Sequence, residues 1–460
     1  MAFHSAVFLF FFLPLALALD RLMPGTRWKN GMLLLVSLVF YTFGQWQGIP
    51  VLLLSAVIAW AAGALLAKRP GSRAVLAAAL ALDLGLLGAF KYLDFFAESL
   101  GLPGLGLLAP LGVSFFTFKA MSYVVDVYRG GPAAERFSDM LLYLSFFPQV
   151  TSGPITRFDG FAAQLADRSE SPERTAKGLR RFITGLAKKL LISAPVAAVA
   201  DACFGLGAGL DARTAWLGAA AYTIQLYFDF SGYSDMAIGL GAVFGFDTPE
   251  NFQYPYIAAS ITEFWRRWHI SLSGWFRDYL YIPLGGNRKG VARKALNTAV
   301  VFVLCGFWHG AAWTFLAWGA WHALFSALES LKILDCKRWA RNIMGKGLCH
   351  VYTLLVVCLG FVIFRAADMG QALELFRGLF TGFHLTEAST LVLCRVSPAS
   401  WCALALGAVG SLPIAPKLSA WAEDKKAARV CAYAGALALF ALCLLAAAGG
   451  GFLPFIYAQF

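Results

Sequence analysis

Two histidines stand where a chain rarely puts one. His309, in CGFWHGAAWTF, and His322 both fall within 296–331, a stretch apolar enough to lie inside a membrane. Ionisable side chains are expensive there and mark pathways or chemistry by default. A neutral imidazole takes a proton from a hydroxyl near pH 7 and returns it to a leaving group. The competing reading is structural: a histidine packed in a core with its hydrogen bonds met. If 300–325 is one helix, Cys305, His309 and Trp313 share a face. His322 then follows His309 by thirteen residues, roughly 220° around the axis. The two rings cooperate only if Gly306 or Gly310 breaks that helix. His309 is therefore the leading base, with Trp308 beside it. His322 reads first as a packed side chain hydrogen-bonded to a neighbour.

A third histidine lies in SITEFWRRWHISLSGWFRDYLYIPLGGNRKG, residues 260–290. Ser260 followed by Glu263 fits a capping box, so a helix starts there. Ile261, Phe264, Trp265, Trp268, Leu272 and Trp275 follow helical spacing and form an apolar stripe. Glu263, Arg266 and Arg267 lie off the stripe, and Arg267 sits within pairing distance of Glu263. The pattern predicts an interfacial amphipathic helix over 260–282. His269 falls at the stripe's edge. A helix that only faces lipid gains nothing from a histidine there, whereas a helix packed on a cavity does. Pro283, Gly285 and Gly286 stop the helix. The cations of 288–294 read either as a solvated loop or as an attraction for the phosphate of an anionic cofactor or lipid.

Other polar groups fall at membrane depth: Asp229 and Asp235, Lys119, and Gln149 beside Pro148. Each either pairs structurally or lines a polar tunnel. No G-x-S-x-G and no H-E-x-x-H occurs. The nine cysteines include no C-x-x-C, so neither a metal site nor a disulfide framework is expected. General-base transfer is favoured over a serine ester, and a nucleophilic histidine stays open.

These groups need elements to hold them, and the composition says which. The chain is 59% hydrophobic and 14% charged. A soluble domain has about 45–50% apolar and about 25% charged residues. Lipid must be the solvent, which predicts an all-α polytopic membrane protein formed as one domain over 1–460. Apolar runs lie near 5–19, 31–47, 51–67, 74–96, 106–125, 191–210, 214–245, 347–366, 399–416 and 430–449. The first reads as a retained helix, since it lacks the charged start and cleavage site of a signal peptide. Residues 143–158, broken by Pro148, Gly153 and Pro154, read as a re-entrant element. The net charge is +12, but it falls in short clusters between apolar runs, which sets nucleic acid aside. Lys68/Arg69/Arg73, Arg174 to Lys189, Arg288 to Lys294, Lys337/Arg338/Arg341 and Lys425/Lys426/Arg429 are expected on the cytoplasmic side. Segments 97–110, 367–392 and the C-terminus are expected outside.

The phrases WRRWHISLSGWFRDYLYIPLGGNR and CGFWHGAAWTFLAWGAWH resemble the membrane-bound O-acyltransferase family, in its bacterial polysaccharide (alginate-type) O-acetyltransferase branch. PLGVSFFTFKAMSYVVDVYRG, FFPQVTSGPITR, YFDFSGYSDMAIGLG, ENFQYPY and the terminal FIYAQF are similar to that branch as well. The resemblance implies about eleven membrane helices around a central tunnel. It implies a donor entering from the cytoplasm, acetyl-CoA, with no bound cofactor, and an acceptor entering from the opposite face. The family's catalytic histidine matches His309. A second family position, filled by Asn, Asp or His, matches His269. Trp308, Trp268, Arg266, Arg267, Glu263, Asp229, Lys119, Gln149 and His322 are then candidates for the tunnel or donor site. The resemblance further implies the bacterial inner membrane, contact with membrane lipid, a polysaccharide acceptor such as alginate or peptidoglycan, and a periplasmic partner that completes transfer. D-alanyl transfer to teichoic acid and transport of a polyprenyl-linked sugar are the alternatives.

Overall fold

Every regular element among the described residues of the computed structural model is helical. The structure describes residues 1–168, 170–383, 386–416, 426–449 and 455–456. Lys425, most of FIYAQF and the Lys426 side chain lie outside them. Six helical stretches are long and apolar enough to cross a membrane, or seven if the bent pair Glu387–Arg395 and Pro398–Gly410 is one span. One of the six, Thr26–Lys68, contains two 20-residue helices, α2 (Thr26–Gln45) and α3 (Ile49–Lys68), joined by a 3-10 turn. The protein is a multi-pass membrane protein. Its exposed large side chains fit lipid contact, Phe11, Leu22, Phe43 and Leu65 among them.

By internal contacts the chain divides into two compact units. The first comprises Met1–Leu186 and Tyr233–Glu250, and the second Ala187–Gly232 and Asn251–Ile456. Each is discontinuous in sequence, so no linker composition announces a boundary.

In the first unit, α1 (Leu13–Leu22) packs on α2, and α3 packs on α4 (Arg73–Leu87) and α5 (Val113–Tyr128). The run expected at 106–125 starts late because 102–110 is irregular, ending in Pro110, and Gly112 takes a left-handed φ of 72°. Phe8, Phe12, Phe40 and Phe147 close the core with ring centroids 5.5–6.4 Å apart. After α6 (Phe137–Ser145), residues 146–157 leave the helical conformation yet stay mostly buried. Irregular backbone at membrane depth is tolerated only inside protein, which fits the re-entrant reading.

The second unit holds all three histidines of the candidate site. Helix α7 (Ala212–Val243) contributes residues 212–232 to it. There follow α8 (Ile261–Arg267), α9 (Ile270–Phe276), α10 (Val291–His309), α11 (Trp313–Ser330) and α12 (Ile343–Arg365). Helices α10 and α11 form a hairpin, and α11 packs in turn on α8 and α12. The hairpin is close because two glycines face backbone. A Cβ on Gly306 would meet the Phe315 carbonyl oxygen at 2.2 Å, and one on Gly319 would meet that of Phe302 at 2.5 Å. Position 302 meets 319 while 306 meets 315, so the two helices run antiparallel.

Candidate active site

Residues 300–325 do not form one helix, since α10 ends at His309. Gly310 is extended (φ −172°, ψ 157°), and α11 begins only at Trp313. Gly310 is thus the break that cooperation between the rings requires. Trp313 does not share a face with His309; it opens the returning helix and is 60% exposed. Cys305 does share it, with Sγ 3.9 Å from His309 Nε2. His309 is 2% exposed and walled by aromatic rings. Trp308 and Trp318 lie 5.1 Å from it between centroids and Phe364 5.3 Å, all steeply inclined to the imidazole. Such edge-to-face packing fixes the plane of the ring.

His269 occupies a second break. The predicted helix over 260–282 is two short helices, α8 and α9, with Trp268 extended and His269 left-handed (φ 44°, ψ 55°) between them. A π turn, Arg277–Tyr281, follows α9. The stripe survives the interruption: Ile261, Phe264, Trp268, Leu272 and Trp275 are buried. Left-handed backbone is strained for most side chains and least so for Gly, Asn, Asp and His. The residue set implied for this position by resemblance, Asn, Asp or His, therefore has a backbone reason as well as a chemical one.

Asn251 completes this break. Its carbonyl oxygen accepts from Ile270 N–H at 3.0 Å. Its side-chain Oδ1 accepts from Ser271 N–H at 3.2 Å and from Ser271 Oγ at 2.9 Å. Asn251 thus caps α9, a task that the His269 side chain does not perform. The same Oδ1 lies 3.2 Å from His269 Nδ1. A backbone N–H must donate, so this amide atom is an oxygen, and the facing His269 nitrogen carries its proton. Nε2 is left with the lone pair. Phe230 stands edge-on at 4.7 Å. Trp308 touches both breaks, 6.2 Å from His269 and 5.1 Å from His309 between ring centroids.

His322 meets its expectation only in part. It is packed as expected, with Trp265 at 5.0 Å, Trp318 at 5.1 Å and Phe302 at 6.1 Å. The expected hydrogen bond is absent: among the described residues neither ring nitrogen has a partner, and the Trp265 and Trp318 indole nitrogens have none. Trp318 stands 5.1 Å from both His309 and His322, so the hairpin gathers two rings that one straight helix would hold apart.

The other candidates divide sharply. Glu263 and Arg267 build the local frame. Ser260 Oγ accepts from Glu263 N–H, Glu263 accepts from Ala259 N–H, and Arg267 pairs with Glu263 at 2.9 Å while donating to the Gln253 carbonyl. Arg266 is exposed. Trp268 is core, stacked on Phe264 at 5.5 Å and against Phe361 at 5.2 Å. Asp229 is an ion-pair partner: Lys189 lies 2.5 Å away, and Ser193 and the Ile456 N–H also donate to it. Asp235 pairs with Arg181 in the first unit. There Lys119 donates to the Tyr143 carbonyl and to Gln149 Oε1, and Gln149 also bonds Thr156 and Thr248. None of these five groups needs a tunnel to explain it.

Sequence reasoning missed Asn251 and Glu329. Glu329 accepts from Ile261 N–H at 2.6 Å and Thr262 N–H at 3.0 Å, placing a carboxylate on the first turn of α8. An anion there suits the positive end of the helix dipole. Both bond a segment well removed along the chain, and although Asn251 falls within ENFQYPY, nothing in the local spacing gives either residue its role.

The model of the family described as "MBOAT, membrane-bound O-acyltransferase family" matches residues 133–364, which contain every one of these site histidines. The chain is 43% identical over 401 residues to a Pseudomonas putida protein named "Probable alginate O-acetylase AlgI", covering 83% of this chain and 80% of that one. It is 34% identical over 441 residues to the peptidoglycan O-acetyltransferase of Helicobacter pylori, covering 86% and 84%. A teichoic acid D-alanyltransferase of Bacillus subtilis is 30% identical over 288 residues, covering 57% and 70%. With buried histidines seated at two helix breaks and this breadth of likeness, the chain belongs to the membrane-bound O-acyltransferase family and is an O-acyltransferase.

Proposed function

We propose that this enzyme moves an acetyl group from acetyl-CoA on the cytoplasmic side of a bacterial inner membrane to a cell-surface polysaccharide. The acceptor is of the alginate or peptidoglycan kind, reached directly or through a periplasmic partner protein. The names of the relatives support the acetyl group and the class of acceptor. The observation that carries the reading is that the rings of His269 and His309 both lie close to Trp308, at 6.2 and 5.1 Å between centroids. Both rings are buried, and His269 is oriented by Asn251.

His309 acts as the base. It takes the proton of the acceptor hydroxyl as the oxygen attacks the thioester carbonyl. The new carbon–oxygen bond forms, the carbon–sulfur bond breaks, and the imidazolium returns its proton to the departing thiolate. His269, held by Asn251 beside Trp308, positions the acceptor sugar, while the one proton of the attacking hydroxyl goes to His309. The tunnel implied by the family resemblance brings donor and acceptor to this point. Arg266, the one exposed cation of the RRWH phrase, is free of the Glu263 pairing that occupies Arg267, and it faces the donor's phosphates.

The test uses the full chain in nanodiscs with radiolabelled acetyl-CoA and alginate or peptidoglycan fragments, with and without a periplasmic acetyl-transferring protein. His309→Ala is expected to lower acetyl transfer about 10²–10⁴-fold with its melting temperature preserved. Undiminished transfer by a folded H309A protein removes the catalytic role. Turnover with a D-alanyl thioester and none with acetyl-CoA would move the enzyme to the D-alanyl branch.

A further inference from the structure

One turn is the covalent link between the two breaks. It leaves the π turn after α9 and enters α10, so its upstream helix begins next to His269 and its downstream helix ends at His309. Arg288, Lys289, Arg293 and Lys294 crowd onto it, and all but Lys294 are exposed. Among the described residues no carboxylate lies within ion-pair distance of any of the four, although neighbouring Arg277 is paired with Asp278.

The turn is firmly built. Asn297, buried, donates Nδ2 to the carbonyls of Leu284 at 3.3 Å and Gly286 at 3.0 Å. Gly286 N–H returns to the Tyr281 carbonyl at 2.9 Å, and Arg288 N–H to that of Gly285 at 3.2 Å. Gly285 and Gly286 both hold positive φ, 103° and 56°. Like charges are thus gathered on a backbone that does not let them spread. Apolar side chains stand among them: Ile282 is 53% exposed, Val291 54% and Leu296 53%. The helix that starts here, α10, has 19 residues and is apolar enough to cross a membrane.

We infer that this turn binds the headgroup of an anionic phospholipid, and that the bound headgroup steadies the link between the His269 and His309 helices. Cations at the mouth of a membrane span, with apolar side chains beside them, match a phosphate attached to acyl chains. A free phosphate or the phosphates of a soluble donor would make no use of Ile282, Val291 and Leu296 beside the cations. The effect on turnover rests on the acyltransferase reading, but headgroup binding does not.

The full chain is placed in nanodiscs of phosphatidylcholine, alone or with phosphatidylglycerol, and retained lipid is read by native mass spectrometry. The native protein should retain phosphatidylglycerol preferentially. R288Q/K289Q/R293Q/K294Q should lose that preference about tenfold or more. R288K/R293K should keep it, and so should K337Q/R338Q/R341Q, which neutralises another basic cluster. Acetyl transfer by the native protein should rise with phosphatidylglycerol and that of the quadruple variant should not, at equal KM for acetyl-CoA. Retained preference in a folded quadruple variant overturns the proposal. So does a raised KM for acetyl-CoA with an unchanged lipid response, which would give the turn to the donor's phosphates. Absence of transfer from every protein, with the lipid preference intact, would sink the acyltransferase reading and leave this site standing.

Discussion

Lys119 and His322 are both polar side chains sealed among apolar helices, one in each unit, and they are treated in opposite ways. Lys119 finds the Tyr143 carbonyl, Gln149 Oε1 and the face of the Tyr143 ring, and Gln149 is itself held by Thr156 and Thr248. His322 finds only the rings of Trp265, Trp318 and Phe302. A buried polar group whose bonds are met is explained by the fold around it. One whose bonds are unmet, at about 1–3 kcal/mol of desolvation, asks for something the fold alone does not supply. The same contrast separates Asp229, matched to Lys189, from His322.

The largest effect that would break the contrast is at Gln149. Gln149→Leu leaves the buried Lys119 ammonium without its side-chain acceptor, and loss of about 3 kcal/mol is expected. Thermal unfolding in nanodiscs measures it, and the rate per folded molecule should stay native. A stable Q149L protein with slowed turnover would return Gln149 to the site. At His269 the backbone itself is the probe. His269→Val puts a β-branched residue in the left-handed region and removes the bond to Asn251, for about 1–3 kcal/mol of destabilisation. His269→Asn tolerates that backbone and should hold most of the stability, so comparing the two melting curves separates conformation from chemistry. Equal losses would mean that the φ of 44° carries no weight. The smallest effect is the sharpest. His322→Phe keeps the ring and deletes both unmet nitrogens, so stability should change by less than about 1 kcal/mol or rise. A fall well beyond that would mean that the imidazole has a polar partner, and the contrast with Lys119 would collapse.

Much of this was legible in the chain. Apolar runs became helices, the Ser260–Glu263 cap and the Glu263–Arg267 pair formed as their spacing requires, and the stripe from Ile261 to Trp275 turned inward. The breaks were harder to read. The stripe's period continues across residue 268, because each short helix keeps its apolar side facing in. A left-handed residue that is not glycine leaves no local mark. Gly310 marked its break only as one of two glycines. Asn251 and Glu329 were invisible because their partners lie eighteen and 67–68 positions away.

The amino-acid order by itself determined the solvent, the helices and the identity of the rings able to move a proton. Those follow from hydrophobicity and side-chain chemistry, which each residue carries with it. Which buried polar groups would be matched, and which ring nitrogen would keep its lone pair, was decided only when distant segments closed on one another. A hydrogen bond needs two partners within about 3 Å, and a linear chain does not state that distance.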